Sequence, residues 1–171
     1  INKGDHYLLN GTKNWITNGN TASVYLVIAQ TDVEKGYKGI NACIVEKDME
    51  GFVVGQKENK LGIRGSDTHS LMFTDVKVPK ENRIGEDGAG FKVAMKTLNG
   101  GRIGIATQAL GIARASLDAS IKYAKERKQF GQPIGEFGAI QNKLANMATD
   151  VDAARFLIWR AAHLRDRGKN Y

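Results

Sequence analysis

The sequence predicts an α+β chain: a compact antiparallel sheet or barrel, followed by long antiparallel helices. Three observations carry that expectation. Short β-branched runs separated by turn residues fill the chain from Tyr7 to Pro79. From Phe91 onward apolar residues recur instead at three- and four-residue steps, the spacing of one helix face. Between them, Pro79 to Gly90 combines a proline, mixed charges and the glycines Gly85, Gly88 and Gly90, which reads as a boundary.

The elements follow in order. The run Tyr7-Leu8-Leu9, then Asn10-Gly11, then Thr12 to Ile16 has the pattern of a hairpin around an Asn-Gly turn. Asn18-Gly19-Asn20 makes the next turn. Val24–Gln30 and Ile40–Lys47 are the clearest strands, and Thr31–Gly39 between them is polar enough to be a loop. Gly51–Lys57 and His69–Pro79 complete the strands. Helical periodicity begins at Phe91, with an expected interruption at Gly100-Gly101. It then carries Ile103, Ala106, Ala109, Leu110, Ala113, Leu117, Ile121 and Ala124 on one stripe. Lys125, Arg127 and Lys128 oppose the negative end of that helix, and Gly131 is placed to end it. Gln132-Pro133 opens a connection, and a last helix covers Ile140 to about Arg167. Its apolar face runs through Leu144, Met147, Ala148, Val151, Ala154, Leu157, Ile158 and Ala161.

With 171 residues the chain can bury one good core or two small ones. Hydrophobic content of 42% and charged content of 25% exclude a disordered chain. No apolar run reaches membrane-spanning length, and no signal segment opens the sequence. Two long helices with apolar stripes need cover beyond the sheet. That need, together with a first residue Ile1 rather than methionine, leads us to expect a piece of a longer chain or an obligate oligomer. Cys43, the only cysteine, lies in an apolar run and reads as a buried inert thiol.

The net charge of +7 belongs to the helical half: residues 1–87 hold 11 Lys+Arg against 12 Asp+Glu, and residues 88–171 hold 14 against 6. A solvated helix face accounts for such a surplus, as does a phosphate-bearing ligand, an anionic membrane or nucleic acid. Gly100-Gly101-Arg102-Ile103-Gly104 fits neither the dinucleotide-binding nor the P-loop spacing, so the glycine pair is better explained by close approach of a ligand or a helix. His6, His69 and His163 fall in unrelated segments without metal-ligand spacing. Ser66-Asp67-Thr68 reads as a turn-fixing group rather than a nucleophile. Trp15 at a strand end, with the Thr17 hydroxyl two residues on, suits either a core position or a platform for a planar ring.

Taken together, four stretches resemble the acyl-CoA dehydrogenase family, the short-chain (butyryl-CoA) type above all. They are LNGTKNWITNG, LGIRGSDTHSLMFTDVKVP, GEDGAGFKVAMKTLNGGR and YAKERKQFGQPI, in the family's order and covering essentially the whole chain. The resemblance implies a middle β-barrel domain over residues 1–80, a linker over 81–90, and over 91–171 the first helices of a C-terminal four-helix bundle. It implies FAD as cofactor, an acyl-CoA substrate oxidised to the trans-2-enoyl-CoA, an electron-transfer flavoprotein as partner, and a homotetramer. No nucleic-acid partner and no membrane span are expected. The compartment would be the bacterial cytoplasm or the mitochondrial matrix.

By the same resemblance, Trp15, Ile16 and Thr17 contact the flavin ring. Arg127, Phe130, Phe137 and Gly138 meet the pyrophosphate and adenine of a neighbouring subunit's FAD, and Asn99, Gly100, Gly101 and Arg102 line the acyl-CoA site. The catalytic glutamate of the short-chain type falls beyond Tyr171. In the isovaleryl and long-chain types it precedes the arginine, where this chain has Gly101, so no catalytic residue is assigned here. Gly138 stands where members usually carry a glutamine, and Asn99 where an aspartate is common. An acyl-CoA oxidase or flavin monooxygenase of the same fold, or an assembly module without the base, are the alternative readings.

Overall fold

The computed structural model describes all residues, Ile1–Tyr171. Two compact units emerge, Ile1–Lys96 and Thr97–Tyr171. The first holds strands β1 (His6–Thr17), β2 (Val24–Gln30), β3 (Ile40–Glu46), β4 (Phe52–Lys57), β5 (Thr68–Pro79) and β6 (Arg83–Ile84). Helix α1 (Gly90–Glu126) begins there and continues into the second unit, which adds a small ladder of β7 (Lys128–Gln129) with β8 (Gln132–Pro133), then helix α2 (Gly138–Asp166).

The α+β class is as expected, and every strand pairing is antiparallel. The six strands of the first unit form two three-stranded sheets, β1-β5-β4 and β2-β3-β6, rather than one closed barrel. Strands β1 and β2 are both edges. What spans them is a side chain, the Lys13 ammonium donating to the Ile28 carbonyl at 2.8 Å. Alternation places Tyr7, Leu9, Tyr25, Val27, Val45 and Leu71 in one shared core, crossed by a run of rings. Tyr25 meets Phe52 at 4.8 Å and Phe52 meets Phe73 at 5.2 Å between centroids. Cys43 lies in this core, 1% exposed, and burial pushes its thiol pKa up, which suits an inert role.

Asn10-Gly11 does not turn the chain. Strand β1 runs straight through it, and the extra residue sits opposite: β5 bulges at Asp75, whose φ is +51°. The Asn10 side chain closes that bulge, donating to the Asp75 carboxylate at 2.8 Å and accepting the Asp75 N–H at 2.9 Å. Without the bulge, Leu71 and Phe73 would point to one face and Val76 and Val78 to the other; with it, all four are buried. The Thr31–Gly39 segment is not wholly irregular, since Val33–Gly39 winds as a 3-10 turn kinked at Gly36.

Helix α1 is unbroken at Gly100-Gly101. Its start is fixed by buried Asn41, whose amide donates to Thr31 and Asp87 and whose oxygen accepts the Gly88 N–H. Gly131 does not end it either. The helix stops at Glu126, and Phe130 and Gly131, with φ of +52° and +83°, form the two-residue turn between β7 and β8. In the second unit the α1 and α2 stripes line a common apolar groove of about 610 Å³. Leu117, Ala124 and Val151 are the buried hydrophobics of this unit, and of them only Val151 lines the groove, while Ile105, Ile112, Phe156, Leu157 and Trp159 stay more than half exposed.

Candidate functional site

At the far end of β1 the ladder with β5 slips again. Lys13 faces Leu71 and Ile16 faces His69, so Asn14 and Trp15 together oppose Ser70. Trp15 takes a left-handed backbone, φ +56°, which swings its side chain out of the alternation. It is 74% exposed, so it is a surface aromatic and not a core one. Thr17 is exposed beside it and Ile16 half-buried. Ile16 and Thr17 border a cavity of about 420 Å³ along the β1–β2 seam, with Lys13, Tyr25 and Leu71 among its walls.

The turn after Thr17 is tied down from β5. Asp67 accepts the Asn18 N–H on its carbonyl at 2.7 Å and the Asn20 N–H on its carboxylate at 2.8 Å. The Asn20 N–H foremost, then the His69 ring and the Thr21 N–H, hold the Asp67 carboxyl below its usual range. Asp67 therefore fixes a turn, as its sequence setting suggested. His69 joins it through an Nε2 contact of 2.8 Å, which no sequence signal marked.

In the second unit two clusters form. Arg102 donates to the Asn99 side-chain oxygen at 2.8 Å, one helical turn apart, and both line a cavity of about 290 Å³ with Ile103, Leu157, Ala161 and Tyr171. The glycine pair divides its duties. A Cβ on Gly100 would touch the Arg165 guanidinium at 3.5 Å, whereas one on Gly101 would meet nothing within 4 Å. No carboxylate lines this cavity.

The other cluster is the chain reversal after α1. Arg127 is exposed just past the helix end, its carbonyl accepting the Ile134 N–H at 2.8 Å. Phe130, 93% exposed at the turn, meets Phe137 edge to face at 6.2 Å and 86°. Gly138 opens α2 with free space where a side chain would go. The reversal thus carries a contacting pair of rings and, three residues before Phe130, an exposed arginine, side-chain types that suit a ring joined to phosphate. From Arg102 to Arg127 the helical rise amounts to about 37 Å, so the two clusters lie at separate places along α1.

The sequence-assigned residues thus fall into three groups: Trp15, Ile16 and Thr17 on the first unit, then Asn99 to Arg102 and Arg127 to Gly138 on the second. Most are exposed or line a cavity; Gly100 and Phe137 are half-buried. Residues 1–76 match the acyl-CoA dehydrogenase middle domain and residues 88–171 the acyl-CoA dehydrogenase C-terminal domain. The chain belongs to the acyl-CoA dehydrogenase family.

Among its relatives is the mitochondrial short-chain specific acyl-CoA dehydrogenase of Mus musculus, 53% identical over 169 residues, which are 99% of this chain and 41% of that protein. The solved butyryl-CoA dehydrogenase of Megasphaera elsdenii superimposes with a TM-score of 0.92 at 52% identity, over 97% of this chain and 43% of that one. A structure described as the electron transferring flavoprotein of Acidaminococcus fermentans gives 0.93 at 54% identity, over 99% and 45%. The chain therefore spans less than half the length of these relatives. No helix is long and apolar enough to cross a membrane.

Proposed function

We propose that the protein is an FAD-dependent dehydrogenase of short acyl-CoA thioesters, yielding the trans-2-enoyl-CoA. What carries this reading is the identity of 53% with a short-chain enzyme, sustained over 99% of the chain and hence over both units. When bound, FAD supplies the oxidant for the β-hydrogen. The residues present fit it: Trp15 offers a flat exposed face, Thr17 a hydroxyl on the same tip, and Arg127 a permanent charge for a pyrophosphate beside the Phe130–Phe137 pair.

The length of α1 between Arg102 and Arg127 supports assigning Arg127, Phe130, Phe137 and Gly138 to the FAD of a neighbouring subunit in a homotetramer. The exposed apolar side chains of α1 and α2 support that assembly. Asn99, Gly100, Gly101 and Arg102 line the thioester site. Gly101 leaves its own position empty, and Arg102 orients Asn99. As in the short-chain type, a glutamate outside these residues would take the α-proton, and the absence of any Asp or Glu from the cavity at Arg102 supports assigning no base here. An electron-transfer flavoprotein is the electron acceptor. The compartment follows the relatives, the mitochondrial matrix or a bacterial cytoplasm.

The test is the visible spectrum of the chain after incubation with FAD and gel filtration. Flavin absorbance that is retained, and lost in Trp15→Ala and Arg127→Ala, is the expected result. A full-length protein that holds FAD but is not bleached by butyryl-CoA would overturn the reading.

A further inference from the structure

We propose that Asp67 and His69 are positioning residues for the Trp15–Thr17 tip, locked together as an aspartate–imidazolium pair. The functional half of this proposal rests on the reading of that tip as a flavin contact.

The pair lies directly under the tip, because Ile16 faces His69 and Thr17 faces Thr68 across the β1–β5 ladder. The chain beyond Thr17 turns through Asn18, at φ +59°, and all its outward N–H groups but one converge on Asp67. Asn18 donates to the Asp67 carbonyl at 2.7 Å, and Asn20 and Thr21 donate to Oδ2 at 2.8 and 3.2 Å. The exception, Gly19, donates back to the Ile16 carbonyl at 3.2 Å. His69 packs on Gly19 so closely that a Cβ there would lie 2.7 Å from its own. Asp67, through its carbonyl and its carboxylate, is therefore the anchor of the turn's N–H groups outside β1, while the Lys47 ammonium donates to the Asn20 carbonyl and the Tyr25 hydroxyl holds those of Gly19 and Ala22.

The ring of His69 fixes the carboxylate in turn. Its Nε2 lies 2.8 Å from Asp67 Oδ1 and its Nδ1 lies 2.8 Å from the Gly55 carbonyl oxygen. A carbonyl can only accept. The Asp67 carboxyl, kept ionised by its N–H donors, can also only accept. Both ring nitrogens must then carry hydrogens, so His69 is an imidazolium with a hydrogen bond on each side. Lys57 faces His69 on β4, and the Lys60 ammonium donates to Ser66 and Thr68 nearby. Both oppose a positive ring, which leaves Asp67 as the charge that holds it. The Tyr25 hydroxyl completes the surroundings, bonding the Gly19 and Ala22 carbonyls at 2.9 Å.

This geometry separates position from mere stability through one conservative exchange. In Asp67→Asn the carboxamide oxygen can still accept the Asn20 and Thr21 N–H groups, and its NH2 can donate to Nε2 once His69 is neutral. The turn is kept while the charge pair is removed. Asp67→Ala removes both.

The experiment is nitrogen-15 NMR of the full chain at neutral pH, followed by FAD titration of the same samples. Wild type should show both His69 ring nitrogens protonated, and Asp67→Asn a neutral ring protonated at Nδ1 alone. Amide exchange at Asn20 and Thr21 should rise about tenfold or more in Asp67→Ala, the scale of a charge-assisted bond, and stay near wild type in Asp67→Asn. The FAD dissociation constant should follow the same order, rising in Asp67→Ala and rescued in Asp67→Asn. If Asp67→Ala does not fold, His69→Gln decides: it can keep only one of the two ring contacts, and unchanged exchange at Asn20 and Thr21 overturns the clamp.

A neutral His69 in wild type, or slow exchange at Asn20 in Asp67→Ala, also overturns it. FAD affinity indifferent to Asp67→Ala, with the NMR results as expected, overturns the positioning role. Absence of FAD binding to wild type and full-length protein alike sinks the flavin reading instead, and leaves the NMR arms to judge the clamp.

Discussion

The two units of this chain solve burial differently. The first closes a core of alternating strand residues, with Tyr7, Val45, Val76 and Val78 fully shielded and three rings in contact across it. The second has two helices of 37 and 29 residues, yet few of their apolar side chains are buried, and Leu157, Ile112 and Trp159 remain mostly exposed. Both sets of residues are hydrophobic and correctly spaced. The difference lies in what each face meets: a sheet finds its partner sheet within the unit, whereas a helix pair covers one stripe of each helix and leaves the flanks open. Apolar residues in the first unit therefore hold a fold. Many of those in the second stay exposed, which is the observation behind the assembly we propose.

Truncation should expose that contrast most strongly. Phe52 sits between Tyr25 and Phe73, so Phe52→Ala should cost about 3–5 kcal/mol, transfer and cavity terms together. Leu157, 64% exposed, should cost no more than about 0.5 kcal/mol in the monomeric chain when changed to Ala. Urea unfolding followed by circular dichroism measures both. If the chain assembles, Leu157→Ala will cost more, and its cost will grow with protein concentration. Equal costs that ignore concentration would break the comparison.

Legibility in the sequence divides along the same line. Strands β2, β3 and β5 were readable because their alternation is created by the burial it predicts. Both long helices were readable from their stripes. The differences arise where another residue, distant or adjacent, overrules a local signal. Asn10-Gly11 carries a turn signature, but its amide pairs with Asp75, 65 residues away, and becomes part of a bulge. Gly100-Gly101 weakens helix propensity, yet α1 passes through, with the Arg165 side chain lying over Gly100. Gly131 follows a basic run as a helix-ending glycine would, but Phe130 before it also has positive φ, and a pair of such residues makes a hairpin turn. At the candidate site the residue types were legible and their exposure was not. Trp15 owes its surface position to a bulge that no periodicity reveals, and His69 owes its role to the Gly55 carbonyl on another strand.

The candidate ligand contacts follow the same division. On the second unit Arg127 stands on an exposed reversal, so Arg127→Ala should leave stability almost unchanged. It should weaken FAD binding about tenfold or more, the value of charge-assisted hydrogen bonds to phosphate, read by flavin fluorescence titration. Arg127→Lys should recover only part, because an ammonium lacks the planar fork. On the first unit, by contrast, the tip is coupled to the core, so its clamp should register in stability. The folded-state pKa of Asp67 is lowered, chiefly by the Asn20 N–H. Its contribution is therefore complete above the ordinary carboxylate value and is lost as pH falls through the lower folded value. Urea midpoints of wild type should drop more steeply than those of Asp67→Asn below about pH 4. Parallel curves would mean that the carboxylate is no more constrained in the fold than out of it.

The smallest expected effect tests whether the second unit's surface is tuned or merely available. Gly138 begins α2, and no atom lies within 4 Å of where its Cβ would be, so a longer side chain enters without displacing anything. Gly138→Gln should stabilise the helix slightly, by no more than about 1 kcal/mol, since glycine is the poorest ordinary residue in a helix. If Phe130 and Phe137 flank an adenine, the new carboxamide offers a donor and an acceptor to its edge. One neutral hydrogen bond is worth about 0.5–1.5 kcal/mol, which is about a twofold to tenfold gain in FAD affinity. Gain in stability without gain in affinity would place the adenine elsewhere and leave the aromatic pair to the assembly. Gain in both would mean that this chain holds its cofactor more loosely than its fold allows, at a position where only a side chain is missing.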